Sequence, residues 1–137
     1  MGRRLLPVAL YIGLIFVLSS IRQPLPLGPG SHPDKFWHVL EYAGLGLLLL
    51  RALRPGLSFR LSASWALVLG ALTATLDECY QGVVPGRVAA VGDGVADLAG
   101  IALAIWMRWL FERRRRRRPS SVAGAGLDPT RTGSPNE

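Results

Sequence analysis

The stretch "LSASWALVLGALTATLDECYQ" (Leu61–Gln81) is an apolar run that ends in two adjacent carboxylates, Asp77 and Glu78. It is long enough for a helix that crosses a bilayer, which needs about 20 predominantly apolar residues. Ionisable groups near the hydrocarbon core are costly to place there and usually serve function. The stretch therefore predicts a membrane helix with a polar site at one end.

Three further segments have a similar length and apolar character. They are Leu5–Ile21, Lys35–Leu53 and Asp93–Phe111, and each falls within the roughly 17 to 25 residues that a spanning helix accepts. The sequences between them are rich in proline and glycine, which interrupt helices. We therefore predict an all-α fold, a four-transmembrane-helix bundle with short loops.

Length and composition leave room for one membrane domain and a tail. Half of the 137 residues are apolar and 18% are charged, so we assign the domain to residues 1–112. Residues 113–137 begin with arginines and continue into Pro/Gly/Ser-rich sequence without apolar periodicity, which predicts a basic, disordered cytoplasmic tail. The single cysteine, Cys79, excludes an intramolecular disulfide and a cysteine metal cluster.

The first segment has an alternative interpretation as a secretory signal, because it combines a basic start with an apolar middle. No A-x-A-like cleavage site follows it, and three further spans come after it. A retained first helix is therefore the favoured interpretation.

Arginines concentrate at the helix ends that lie on one side of the bilayer. That side holds Arg3, Arg4, Arg51, Arg54, Arg60, Arg108 and Arg113–Arg118, and the other holds Arg22, Lys35 and Arg87. Short cytoplasmic segments carry the Lys/Arg excess, so we predict a multi-pass plasma-membrane protein with both termini cytoplasmic. The arginine block directly follows an apolar span, which favours contact with the lipid bilayer over nucleic acid as its role.

Polar residues lie on narrow helical stripes in the last three segments, and in the last two the stripes also hold small residues. The stripes hold Asp34, His38, Glu41 and Leu45; Ala66, Gly70, Ala74, Asp77 and Gln81; and Asp93, Asp97, Gly100 and Ala104. Small residues let membrane helices approach closely, so these stripes should face other helices. We therefore expect the carboxylates to meet in one pocket just inside the external face.

The predicted pocket combines candidate acids, bases and anion-holding groups. The catalytic candidates are His38, Glu41, Asp77 and Asp93, with His38 as a general base that Glu41 orients. The candidates for substrate binding are Lys35, Gln81, Arg87 and Asp97. The alternatives are structural: an interfacial histidine, a polar cap at the helix end, and a loop arginine that pairs with Asp93.

Carboxylates outnumber cations in this region. The acids are Asp34, Glu41, Asp77, Glu78, Asp93 and Asp97, against Lys35 and Arg87. Three outcomes are compatible with that excess: protonation, pairing with the two cations, or neutralisation by a divalent cation, which prefers oxygen ligands. In the third case the metal ligands would be Asp77, Asp93 and Asp97.

Aromatic residues fall near the predicted helix ends, which is typical of the interfacial belt of membrane proteins. They are Trp37, Tyr42, Tyr80, Trp106 and Trp109. We therefore predict that these side chains face the membrane interface.

Three motifs resemble the VanZ-like family of small bacterial membrane proteins. They are "DKFWHVLEYAGLG" (Asp34–Gly46), "LDECYQGVVPGR" (Leu76–Arg87) and "VGDGVADLAGIALA" (Val91–Ala104), with "FVLSS" of the first segment as a weaker element. The resemblance covers about the first 110 residues. It implies a role at the cell envelope, linked to resistance to the glycopeptide teicoplanin.

Two classes of function fit these features. The first is an enzyme that acts on an envelope lipid or a peptidoglycan precursor, which the convergence of acid, base and anion-holding groups favours. The second is a non-catalytic binding or shielding protein that limits antibiotic access. The sequence lacks catalytic signatures such as G-x-S-x-G, H-E-x-x-H or a P-loop, which favours the second.

Overall fold

The computed structural model describes residues 2–21, 32–85 and 90–117, with the main chain alone for residues 32–34. It contains four α-helices: α1 (Gly2–Ser20), α2 (His32–Leu53), α3 (Phe59–Gln81) and α4 (Val91–Arg116). All four are long and apolar enough to cross a membrane, and no strand occurs within the described ranges. The predicted all-α fold with four membrane-spanning helices is confirmed.

The helix boundaries differ most at the end of α4. This helix runs on to Arg116, beyond the predicted end at Phe111, so the arginines from Arg113 to Arg116 are helical. Arginine is a good helix former, and cations in the last turn interact favourably with the helix dipole. The predicted disorder of the tail concerns mostly residues 118–137, which lie outside the described residues.

The turn between α2 and α3 is built from local sequence signals. Pro55 and Gly56 follow the last turn of α2, where they disfavour continuation of the helix. Ser58 then caps α3 by accepting a hydrogen bond from the Leu61 backbone N–H at 3.3 Å. An N-terminal serine satisfies one of the backbone donors that a helix start leaves without a partner.

Helix α2 packs against the other three helices, and its contact with α4 is the most intimate. A Cβ atom added at Gly100 of α4 would overlap the Val39 carbonyl oxygen and lie 2.9 Å from the Ala43 backbone nitrogen of α2. On the α2 side, a Cβ atom at Gly46 would lie 2.8 Å from the Ala104 side chain. The two backbones approach this closely because glycine and alanine occupy the contact.

The core between the helices is small and apolar, and large apolar side chains also cover the outside. Tyr42, Leu45 and Ile101 are fully buried, whereas Leu10 and Val68 are among the many exposed apolar residues. An exterior of this kind suits a protein whose surroundings are lipid, since hydrocarbon chains solvate apolar side chains well.

One end of the bundle, where α2 and α4 finish and α3 begins, is rich in arginine. We name it the arginine end; its arginines include Arg54, Arg60, Arg108 and Arg113–Arg117. Arg54 donates to both carboxylate oxygens of Glu112, at 3.1 and 3.0 Å, and to the Leu57 carbonyl at 3.2 Å. These bonds tie the end of α2 to α4, because a planar guanidinium matches a carboxylate with two parallel bonds.

Candidate functional site

Polar side chains gather at the opposite end of the bundle, where α2 and α4 begin and α3 finishes. We name the following residues the polar cluster: His38, Glu41, Asp77, Glu78, Gln81, Asp93 and Asp97. All of them are buried or half-buried. Asp97 lies within electrostatic range of Asp77 and Asp93, and Glu78 lies within range of Asp93, Asp97 and His38. The carboxylates of α3 and α4 and the histidine of α2 therefore lie at the same end of the bundle.

His38 and Asp97 form the most buried pair in the cluster that joins two helices. His38 Nδ1 lies 2.9 Å from Asp97 Oδ1, and the residues are 7% and 0% exposed. The tautomer with its proton on Nδ1 donates to the carboxylate, which fixes the orientation of the ring. A carboxylate that fixes the orientation of an imidazole ring is a common arrangement beside a general base, so the pair has the geometry of an oriented general base.

The sequence interpretation assigned this orienting role to Glu41, on the same helix as His38. The structure places Asp97 of α4, a residue that the sequence suggested for substrate binding, on His38 Nδ1. The orienting role of Glu41 stays a prediction. Glu41 is half-buried on α2, and its main-chain carbonyl accepts a hydrogen bond from the Tyr11 hydroxyl at 3.1 Å. Asp97 can contact His38 because α2 and α4 are rotated about their axes so that the stripes carrying these two residues face each other.

Lys35 and Asp93 form an ion pair at the outer edge of the cluster. Lys35 Nζ lies 2.8 Å from Asp93 Oδ1, with side chains 44% and 9% exposed. Asp93 sits in the first turn of α4, where a negative charge is favoured by the helix dipole. The pair links the start of α2 to the start of α4.

Asp77 and Gln81 lie one turn apart on α3 and are both 1% exposed. Gln81 Nε2 donates to Asp77 Oδ2 at 2.9 Å and lies 3.4 Å from Ser19 Oγ of α1. Both side chains are enclosed by the helices and are not exposed at the surface of the bundle. The amide connects the cluster to α1.

Four buried oxygen atoms in or beside the cluster have no hydrogen-bond partner among the described residues. They are Asp77 Oδ1, Glu78 Oε1, Asp97 Oδ2 and the Tyr42 hydroxyl. Burying an acceptor without a partner costs about 1 to 3 kcal/mol, and more for a charged group. Such atoms persist where they serve function or bind something that supplies the missing partner.

Tyr42 is a member of this region that the sequence interpretation placed wrongly at the membrane interface. It is 0% exposed and lies within electrostatic range of Asp97, Asp77, Glu41 and Glu78. Tyr42 follows His38 by one helical turn and is adjacent to Glu41 in the sequence, and this spacing could have indicated that it belongs to the same region. Trp37, Tyr80 and Trp106 are exposed on the outside of the bundle, and Trp109 is half-buried.

Two predicted members of the site cannot be placed. Arg87 and the Asp34 side chain lie outside the described residues. Within those residues, no group of three or more His, Cys, Asp or Glu side chains is arranged to hold a metal ion. Asp97 lies within electrostatic range of both Asp77 and Asp93, but these three residues are not arranged as a coordination shell.

The chain matches the VanZ/LLP1 family over residues 34–112, which is more than half of its length. The matched region begins with α2 and ends with α4, so it contains every member of the polar cluster, while Ser19 on α1 lies before it. No curated protein and no solved structure matches the chain. The chain is therefore a multi-pass membrane protein of the VanZ/LLP1 family.

Proposed function

We propose that the polar cluster is the functional site of this protein, a pocket that opens toward the outer face of the plasma membrane. Its ligand is the polar part of an envelope lipid or a peptidoglycan precursor, and the protein contributes to tolerance of glycopeptides such as teicoplanin. The link to glycopeptides is the one that the family resemblance implies.

The observation that carries this proposal is the pair of unsatisfied carboxylate oxygens on Asp77 and Asp97. The two residues are 1% and 0% exposed, and each has one oxygen bonded within the protein and one without a partner in the described part. An ionised carboxylate only accepts hydrogen bonds, so the ligand must bring donors or positive charge. Hydroxyl and amine groups of sugars, amino acids and lipid headgroups meet that requirement.

A catalytic version of the proposal uses His38 as the general base, oriented by Asp97. Asp77, Glu41 and Asp93 are then the further acid or base candidates, and Lys35 and Gln81 hold polar groups of the substrate. The support is the contact of His38 with Asp97 and the further carboxylates at the same end of the bundle, since ionisable groups in membrane helices are costly and usually functional.

A second candidate is a static site that binds or shields without chemistry. It is favoured by the pairing inside and beside the cluster: His38–Asp97 and Gln81–Asp77 each join two members, and Lys35 pairs with Asp93 at the edge. Such pairs stabilise one arrangement of the helices and do not require a chemical reaction. The two candidates share a site and differ in whether a product forms.

The deciding experiment replaces Asp77 by Asn or His38 by Ala and uses Glu112→Gln, a carboxylate at the arginine end, as the matched control. Membrane levels are equalised, and glycopeptide susceptibility is measured with the pool of lipid-linked wall intermediates. An enzyme predicts that the site variants behave like a deletion and that a lipid or muropeptide species changes. A shift in susceptibility with no such change supports binding alone, and normal susceptibility in both site variants contradicts the proposed site.

The proposed orientation, with both termini cytoplasmic, rests on the arginine end. We test it with single cysteines in a Cys79→Ser background: Val83→Cys beyond the end of α3 and Gly56→Cys between α2 and α3, both exposed positions. A membrane-impermeant thiol reagent added to intact cells should label Val83→Cys and leave Gly56→Cys unlabelled until the membrane is opened. The reverse pattern would contradict the orientation and the outward-facing pocket.

A further inference from the structure

A groove far from the polar cluster runs between α3 and α4 at the arginine end. Its volume is about 400 Å³, within the range of about 300 to 1,000 Å³ typical of ligand sites. The lining is entirely apolar and aromatic: Phe59, Leu67, Ala102, Ile105, Trp106 and Trp109. At about 1.5 Å per residue, Phe59 and Leu67 are roughly 12 Å apart along α3, so the groove extends from the helix end toward the membrane centre.

Two guanidinium groups lie over the aromatic rings that line the shallow end of this groove. Arg113 lies 3.9 Å from the centre of the Trp109 ring, and Arg54 lies 5.7 Å from the centre of the Phe59 ring. Arg54 also pairs with Glu112, whereas Arg113 is exposed at the surface. A guanidinium stacked on a ring keeps its N–H edge available, which matches the geometry of a phosphate.

We infer that the groove binds one anionic phospholipid, with its phosphate at Arg113 and one acyl chain along α3 and α4. The apolar walls suit a hydrocarbon chain, and the arginine-rich mouth suits a negative headgroup. Basic residues near a membrane surface attract anionic lipid by about 1 kcal/mol each. The groove makes the position of the lipid specific, because an acyl chain held in it places the phosphate beside Arg113.

Charge also favours a lipid over a second copy of the chain as the occupant. Contact of two parallel copies across the groove would bring two arginine ends together, each carrying Arg113 to Arg117. Like charges directly opposed destabilise such an interface. An anionic lipid instead neutralises the same residues.

The experiment uses the full chain in nanodiscs and in detergent, with phosphatidylglycerol as the anionic probe and phosphatidylcholine as the zwitterionic one. Bound lipids are counted by native mass spectrometry, and thermal unfolding is followed with each lipid. Arg113→Gln is compared with Arg115→Gln, which removes the same charge from the same block. Arg115 stacks on Phe111, a residue that does not line the groove.

We expect one retained phosphatidylglycerol on the wild type and on Arg115→Gln, and at least a fivefold loss of occupancy on Arg113→Gln. Filling the groove with Ala102→Trp, at an exposed position, should release the lipid without a change in charge. Ala102→Leu, a smaller filling, provides the same test if the Trp variant does not accumulate. Equal losses from Arg113→Gln and Arg115→Gln, retention of the lipid by the filled variant, or cross-linking of two chains through the groove would each overturn the inference.

Discussion

The two ends of the bundle hold charged residues in opposite ways. At the arginine end, Arg54 and Glu112 pair through two parallel bonds, and most of the remaining guanidiniums are exposed. At the polar cluster, Asp77 and Asp97 are almost completely buried and each keeps a carboxylate oxygen without a partner in the described part of the chain. Anchoring and attraction to lipid account for the exposed arginines, but they do not account for the buried carboxylates of the polar cluster.

The comparison gives a criterion for separating exposed charges near a helix end from candidate functional charges in a small membrane protein. Exposed arginines near a helix end reach the interface at little cost. A buried carboxylate with an open acceptor is costly, and it persists only where the surrounding fold holds it in place. The following predictions change one end at a time and are ordered by the expected size of the effect.

The largest effect should come from the contact that holds α4 against α2 beside the polar cluster. Gly100→Leu places a side chain against the Val39 carbonyl and the Ala43 nitrogen, and backbone cannot move aside cheaply. We expect a loss of about 3 kcal/mol or more in the free energy of unfolding, measured by thermal unfolding in detergent. The control is Gly13→Leu on α1, where an added Cβ meets nothing within 4 Å. Equal losses in both variants would contradict the tight contact.

A smaller effect of opposite sign should follow from Asp77→Asn. This substitution removes a buried charge and keeps an oxygen that can accept the hydrogen bond from Gln81. We expect the free energy of unfolding to rise by about 1 kcal/mol, while glycopeptide tolerance falls to that of a deletion. The measurements are unfolding in detergent and susceptibility at matched membrane level. A variant that is both less stable and fully functional would show that Asp77 is structural.

At the arginine end, Glu112→Gln should change stability in the other direction. It weakens the fork with Arg54 and the 3.4 Å contact with Arg108 Nε. We expect a decrease of about 1 kcal/mol in the free energy of unfolding, with unchanged glycopeptide tolerance, because the pair is partly exposed. If Glu112→Gln lowered glycopeptide tolerance at a normal membrane level, tolerance would depend on charged residues at both ends and not on the polar cluster alone.

The smallest effect should come from the exposed member of the polar cluster's outer ion pair. Lys35→Gln keeps a donor near Asp93 but removes the charge, and Lys35 is 44% exposed. We expect the free energy of unfolding to change by less than about 0.5 kcal/mol, and the change should shrink at high salt. A salt-independent loss several times larger would show that Lys35 belongs to the buried part of the network.

Much of the site could be predicted because helical periodicity is local. Asp77 and Gln81 share a stripe with Ala66 and Gly70, and the structure buries that stripe. In α4 the same holds for Asp97 and Gly100. A residue's face on a helix follows from its position in the sequence, since each step turns the chain by about 100°.

The sequence did not indicate which residues of the neighbouring helices each helix face contacts. Tyr42 was expected at the interface because aromatic residues near helix ends usually lie there, yet α4 packs over it and buries it. Asp97 of α4 contacts Nδ1 of the His38 ring, whereas the sequence offered Glu41, one turn away on the same helix, as the orienting carboxylate. Both outcomes depend on which helix lies opposite and at what depth.

The sequence by itself determined the four apolar spans, the stripes of small residues and the separation of arginines from carboxylates, because hydrophobic length, periodicity and charge are properties of each segment alone. Only the tertiary structure decided that His38 meets Asp97, that Gln81 reaches Ser19 of α1 and that Tyr42 is enclosed. Such pairings depend on helix rotation and depth, which the close packing of α2 against Gly100 of α4 sets.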